Sequence, residues 1–227
     1  MKKLILILFV LPAFTGFGQS PVATSSICNE CSDYVFTSIS VLKDVQVTDA
    51  YYLQLQSLLE RYSINVAPCN VTTFGGSQTL TNGALAQILS SGLQNISELK
   101  KAVLSEKNDA DKIKIEAKIK LNGFDLFKHQ YNSINKVKDV KASDCYYGAV
   151  QILLEEYKID ITDKTGLLQA AKPANGKNMG ILIKQVLGLT KIDVSKYAKP
   201  TITKSEFVIL LSDALDEYNE MIAAAAY

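Results

Sequence analysis

Few residues in this chain of 227 are of types and spacings that could do chemistry. Four are cysteines: Cys28 and Cys31 form a Cys-x-x-Cys, and Cys69 and Cys145 stand alone. In a reducing compartment the paired motif would suggest zinc or redox work. Zinc needs a second close ligand pair, and thioredoxin-like chemistry places the motif between a strand and a helix. Residues 20–33 instead read as a Ser/Thr-rich leader entering a helix. His129 is the single histidine, with no visible partner, so it reads as an ordinary surface or half-buried residue and no metal site is expected. Glu60, Glu155 and Glu156 invite comparison with the paired carboxylates of glycosidases, but their position beside Leu-Leu pairs makes an outward, solvated face the simpler reading. Tyr51-Tyr52 and Tyr146-Tyr147 read first as core and rim, and second as platforms for a sugar ring. With no Gly-rich phosphate loop and no nucleophile elbow, neither catalysis nor a cofactor is expected.

The elements that must position these residues begin after an export signal. Lys2 and Lys3 precede an apolar stretch, Leu4 to Phe14, too short to span a membrane, and Gly16-Phe17-Gly18 supplies the small-x-small pattern for cleavage before Gln19. Without residues 1–18 the chain carries 22 basic and 23 acidic residues, and no other apolar run approaches spanning length. That balance excludes the strongly basic footprint of a nucleic-acid binder. Export to an oxidising periplasm or outside the cell favours disulfides over free thiols for Cys28, Cys31, Cys69 and Cys145. Four cysteines allow three connectivities, and the pairing stays open.

The strongest signal is internal repetition. Residues 41–66 and 136–161 align at a constant offset of 95, with 12 of 26 positions identical, among them a Lys-Asp-Val, a further Asp, Tyr-Tyr and Leu-Leu-Glu. Each copy reads as helix, Gly-containing loop, helix. The first helix is expected to start near an aspartate, with Thr48 or Asp49 and Ser143 or Asp144 as N-caps. Its apolar stripe is Tyr52, Leu55, Leu58, Leu59 and Tyr62, matched by Tyr147, Val150, Leu153, Leu154 and Tyr157. The second helix follows a cap at Thr81, Asn175 or, in a third partial copy, Thr203. The intervening loop could leave backbone amides free for a ligand. Such units cannot bury their apolar faces alone and should pack together. The expected divisions are a leader and helix at 19–40, repeat one at 41–97, a charged insert at 98–135, repeat two at 136–189 and partial repeat three at 190–227. Within the insert, 98–107 looks helical. Residues 112–121 mostly alternate, so they fit a strand as well as a helix. If extended, Lys112, Lys114, Lys118 and Lys120 would share one face, read as solvated surface.

The repeats resemble the S-layer homology (SLH) domain in the form found in Gram-negative envelope proteins. The residues carrying the likeness are Asp44-Val45, Asp49, Tyr51-Tyr52, residues 56–62 and Thr73-Phe74-x-Gly76. Asp139-Val140, Asp144, Tyr146-Tyr147 and residues 151–155 repeat them, and residues 202–207 resemble the family's Thr-Arg-x-Glu signature. The resemblance implies a mainly α fold of helix–loop–helix units with short loops, packed as a pseudo-threefold bundle. It implies a non-catalytic role, binding peptidoglycan or another wall polysaccharide in grooves between repeats. Carried onto this chain, the ligand-facing positions are Tyr51, Thr81 and Asn82, Tyr146, Asn175 and Lys177, and Thr203, Lys204 and Glu206. The departures matter. The family's tryptophan is Ala50 in one copy and Cys145 in the other, and its arginine is Asn82 and Gly176, with Lys177 one place along. Only Lys204 keeps the charge and only Glu206 the acid, so at most one groove retains the family's chemistry. A chain of anchor repeats without cargo suggests an alternative: a degenerate scaffold that binds another envelope protein and no glycan.

Overall fold

The computed structural model describes residues 38–66 and 72–226; the expected signal segment, most of the leader, and Cys28, Cys31 and Cys69 lie outside the described residues. The described chain is mainly helical. Helix α1 (Tyr52–Gln56) continues as a π-helical turn, Ser57–Arg61, and is followed by α2 (Asn82–Ser105), α3 (Asp109–Lys118), α4 (Tyr147–Glu155), α5 (Gly176–Leu187) and α6 (Lys204–Ala226). Short 3-10 turns occupy Ile39–Val41, Ile134–Lys136 and Ser195–Tyr197. Two strands, β1 (Phe124–Asp125) and β2 (Ile159–Asp160), pair in parallel. None of the described helices is long and apolar enough to cross a membrane.

Helix α6 is central to the core. It buries Phe207, Val208, Leu210, Leu211, Leu215 and Tyr218 and packs against α1, α3 and α5, while α2 packs on α4. Each such side chain contributes about 1.5–3 kcal/mol when fully buried. The apolar stripes turn inward as expected: Leu55, Leu58, Leu59 and Tyr62 are buried, as are Val150, Leu153 and Leu154, with Tyr52, Tyr147 and Tyr157 half-buried at the rim.

The first helices begin differently from the expectation. Their N-caps are Tyr51 and Tyr146, and neither makes a side-chain capping bond. Asp49 and Asp144 look backwards, accepting the N–H groups of Gln46 (2.8 Å) and Lys141 (2.7 Å). An aspartate at such a site closes a tight turn before the helix, competing with the capping role.

In the insert, residues 98–105 are helical as expected, and the following segment takes the helix rather than the strand that its sequence also fitted. Residues 98–105 form no separate element, because α2 runs unbroken from Asn82 to Ser105, across the expected division at 97. Residues 109–118 are helical, so the four lysines do not line one extended face. Lys112 pairs with Asp109 and Lys114 with Asp111 along the helix. The Asn108 side chain accepts the N–H of Asp111 (3.0 Å), and Asp109 and Asp111 sit in the first turn with Lys118 in the last. Capping and dipole complementarity therefore outweigh the two-residue alternation. Ile115 and Ile119 are buried, and Tyr218 of α6 donates to the carbonyl of Ile119 at 2.5 Å.

Candidate functional site

The loops leading into α2, α5 and α6 are hydrogen-bonded to one another. The N–H of Leu80 donates to the carbonyl of Ile202 (2.9 Å), that of Ala174 to Leu80 (2.8 Å) and that of Lys204 to Gln78 (2.9 Å). Thr79 bridges antiparallel to Thr203, and Thr81 to Pro173. The cap residues do what their types promise. Thr81 accepts from Ala84, Asn175 from Asn178, and Thr203 from Glu206 at 3.3 Å. Glu206 answers by accepting the N–H of Thr203 (2.9 Å), which makes a reciprocal capping box. Lys199 is ion-paired to the other oxygen of Glu206. Burial alone would raise the Glu206 pKa, but Lys199 and Thr203 hold it below the usual carboxylate value.

Around Lys204 several residues of the expected site meet. Its Nζ donates to the carbonyl of Phe74 (3.1 Å) and to Gln78 Oε1 (2.9 Å). Asp44 accepts the N–H groups of Phe74 (2.8 Å) and Gly75 (2.7 Å), so it fixes the carbonyl that Lys204 grips. Burial lowers the Lys204 pKa, opposed by the Asp44 charge. The Tyr51 ring lies 5.4 Å from that of Phe74, and a Cβ on Gly76 would come within 2.7 Å of it, so only glycine lets the ring settle there. Gly75, at φ +68°, makes the left-handed bend. Burial, then Asp49 and Asp44, push the Tyr51 hydroxyl up to about 12. A half-buried cation, a carboxylate and an aromatic face thus share one end of α6.

The Tyr146 end of α2 has the same layout without the charge. Asp139 accepts from Leu168 (2.9 Å) and Gln169 (2.7 Å), and Asn82 Nδ2, in place of the lysine, donates to the carbonyl of Leu168 (2.9 Å). Tyr146 packs on Gly83 as Tyr51 does on Gly76, its hydroxyl also pushed up to about 12 by burial, Asp144 and Asp139. At α5, Asn175 Nδ2 reaches the carbonyl of Pro200 (3.3 Å), Gly176 packs against the backbone of residues 197–199, and Lys177 is exposed. Cys145 is disulfide-bonded, and the other cysteines lie outside the described residues.

Two expectations need correction. The loop amides are not free for a ligand: those of residues 74, 75, 168 and 169 are held by Asp44 and Asp139. The first amides of α6 are likewise held by Gln78, Gly76 and Thr203. Glu60 and Glu155 are more than solvated face. Each accepts a backbone N–H, from Ile39 (3.1 Å) and Ile134 (3.0 Å), and those bonds, reinforced by Gln56 and Gln151, hold both carboxyls below their usual range.

Sequence reasoning missed one cluster outright. His129 does have partners: its Nδ1 lies 3.1 Å from Asp160 Oδ2 and 3.1 Å from Thr162 Oγ1, and its ring stacks on Tyr131 with centroids 5.0 Å apart. Asp125 holds the N–H groups of His129 (3.1 Å) and Gln130 (2.7 Å). The one available signal was an aspartate four residues before the only histidine. No family model, curated protein or solved structure matches this chain.

Proposed function

We propose that this chain is an exported, non-catalytic protein of the bacterial cell envelope, built from SLH-like repeats. It associates with peptidoglycan or another wall polysaccharide through the surface around Lys204. The observation that carries the reading is the meeting of Lys204, Asp44 and Tyr51 at the start of α6. A cation with a carboxylate fixed beside it and a tyrosine face suits the anionic and hydroxyl groups of a wall glycan. Lysine has three donors, and two are committed to Phe74 and Gln78, so one remains for a ligand.

Matched hydrogen bonds support the repeat. Asp44 and Asp139, Asp49 and Asp144, and Glu60 and Glu155 make equivalent backbone contacts 95 residues apart. The mutually bonded starts of α2, α5 and α6 are what a pseudo-threefold bundle requires. A second reading, the scaffold that binds an envelope protein without glycan, draws on Asn82 and Glu206, whose side chains are spent on internal bonds. A glycan array carrying peptidoglycan fragments and acidic wall polysaccharides separates the two. A polysaccharide signal supports the wall-binding reading, and a blank array with an intact, folded chain overturns it in favour of the scaffold.

A further inference from the structure

Asp125 ends β1 and Asp160 ends β2, and the parallel register makes them direct neighbours. Ligand atoms of Asp125, His129 and Asp160 all lie within 4.8 Å of one another. Asp160 is 4% exposed, and among the described residues no lysine or arginine pairs with it or with Asp125. Buried charges are paired or coordinate metals, and like charges opposed across strands repel. The N–H of Thr162 answers Asp160 Oδ1 (2.8 Å) and those of His129 and Gln130 answer Asp125, but these donors carry no full charge, and the imidazole is an incomplete answer to what remains. Its Nδ1 carries one proton or one lone pair yet faces two oxygens, Asp160 Oδ2 and Thr162 Oγ1, each at 3.1 Å.

We propose that Asp125, His129 and Asp160, with the Thr162 hydroxyl alongside, bind a divalent transition-metal cation, with Zn²⁺ as the best fit. Imidazole nitrogen with carboxylate oxygen suits Zn²⁺ better than the all-oxygen preference of Ca²⁺ or Mg²⁺. Tetrahedral ligands about 2.0–2.2 Å from a cation stand about 3.3–3.6 Å apart, so the groups 3.1 Å from Nδ1 need move only a few tenths of an ångström to admit one. The cation takes the Nδ1 lone pair while the ring proton resides on Nε2, so the imidazole remains neutral. Stacking on Tyr131 holds the ring plane ready. Bound metal would clip the segment after β1 to the segment after β2, tying the insert to the second helix–loop–helix unit. This site is independent of the surface around Lys204.

The test uses the untagged chain, treated with chelator and titrated with ZnCl₂ alone. Calorimetry should show one cation per chain. Because the chain has one histidine, its imidazole ¹⁵N spectrum reports directly: Nδ1 should shift on zinc addition and Nε2 should stay protonated. Asp125→Asn and His129→Ala should each weaken zinc binding at least about tenfold, the loss that even outer-shell partners cause. If His129→Ala fails to fold, Asp125→Asn decides. No heat of binding, an unshifted histidine, a shift at Nε2, or wild-type affinity in Asp125→Asn would each overturn the proposal.

Discussion

Replacing Glu217 by glutamine tests how α6 is locked to the segment that follows α5. Glu217 is 9% exposed and accepts three backbone N–H groups: Thr190 (2.9 Å) and Lys191 (2.8 Å) on Oε1, and Ile192 (2.9 Å) on Oε2. Glutamine keeps one carbonyl oxygen for two of them at reduced strength and turns an amide donor towards Ile192. A hydrogen bond to a charged group contributes about 1.5–3 kcal/mol, and an unmet buried donor costs about 1–3. The expected loss is therefore about 2–4 kcal/mol from a total of about 5–15. For a chain of this size that lowers the melting temperature by about 2–4 °C per kcal/mol. Calorimetry and urea unfolding at pH 7 read both values. The pH dependence carries a sign. Burial alone would raise the Glu217 pKa, but the N–H groups of Lys191, Thr190 and Ile192 outweigh it, and the net value lies below the usual 4.5. A depressed carboxyl stabilises the fold fully above 4.5 and loses that contribution as pH falls through the folded value. The gap between wild type and Glu217→Gln should thus be constant near neutrality and close in acid. A loss under about 0.5 kcal/mol at pH 7, the range of a neutral surface change, would refute the reasoning, and so would a gap that widens in acid.

Other perturbations address the matched loops and the insert. Asp44→Asn and Asp139→Asn each remove one of two charge-assisted bonds from equivalent loops, so each should cost about 1.5–3 kcal/mol in urea unfolding. Costs that differ by more than this range would contradict a shared loop role. Asn108→Ala removes the cap of α3 and should cost about 1 kcal/mol. Hydrogen exchange should show the loss concentrated in residues 109–118, and uniform or absent loss of protection would contradict it.

The parts of this fold governed by local chemistry were legible in the sequence. Thr81, Asn175 and Thr203 cap helices because their short side chains reach an N–H three residues on, and the Leu-Leu stripes point inward because helical period places them there. Competition between local signals was harder to read. In residues 112–118 alternation of lysine with apolar residues masked the Asn108 cap, and Asp49 and Asp144 satisfied a turn rather than a helix end. Contacts set by register were beyond reach. His129 meets Asp160 across 31 residues only because β1 pairs with β2, and Lys204 meets Phe74 across 130 only because α6 starts against the first loop.

The most direct test of the wall-binding proposal is co-sedimentation of the chain with purified peptidoglycan sacculi, comparing wild type with Lys204→Met. Methionine keeps most of the apolar stem and removes the ammonium group that faces Phe74, Gln78 and Asp44. The account predicts that wild type pellets with the sacculi and that the variant, still folded by circular dichroism, stays largely in the supernatant. Equal pelleting of the two proteins, or no pelleting of wild type, would contradict it.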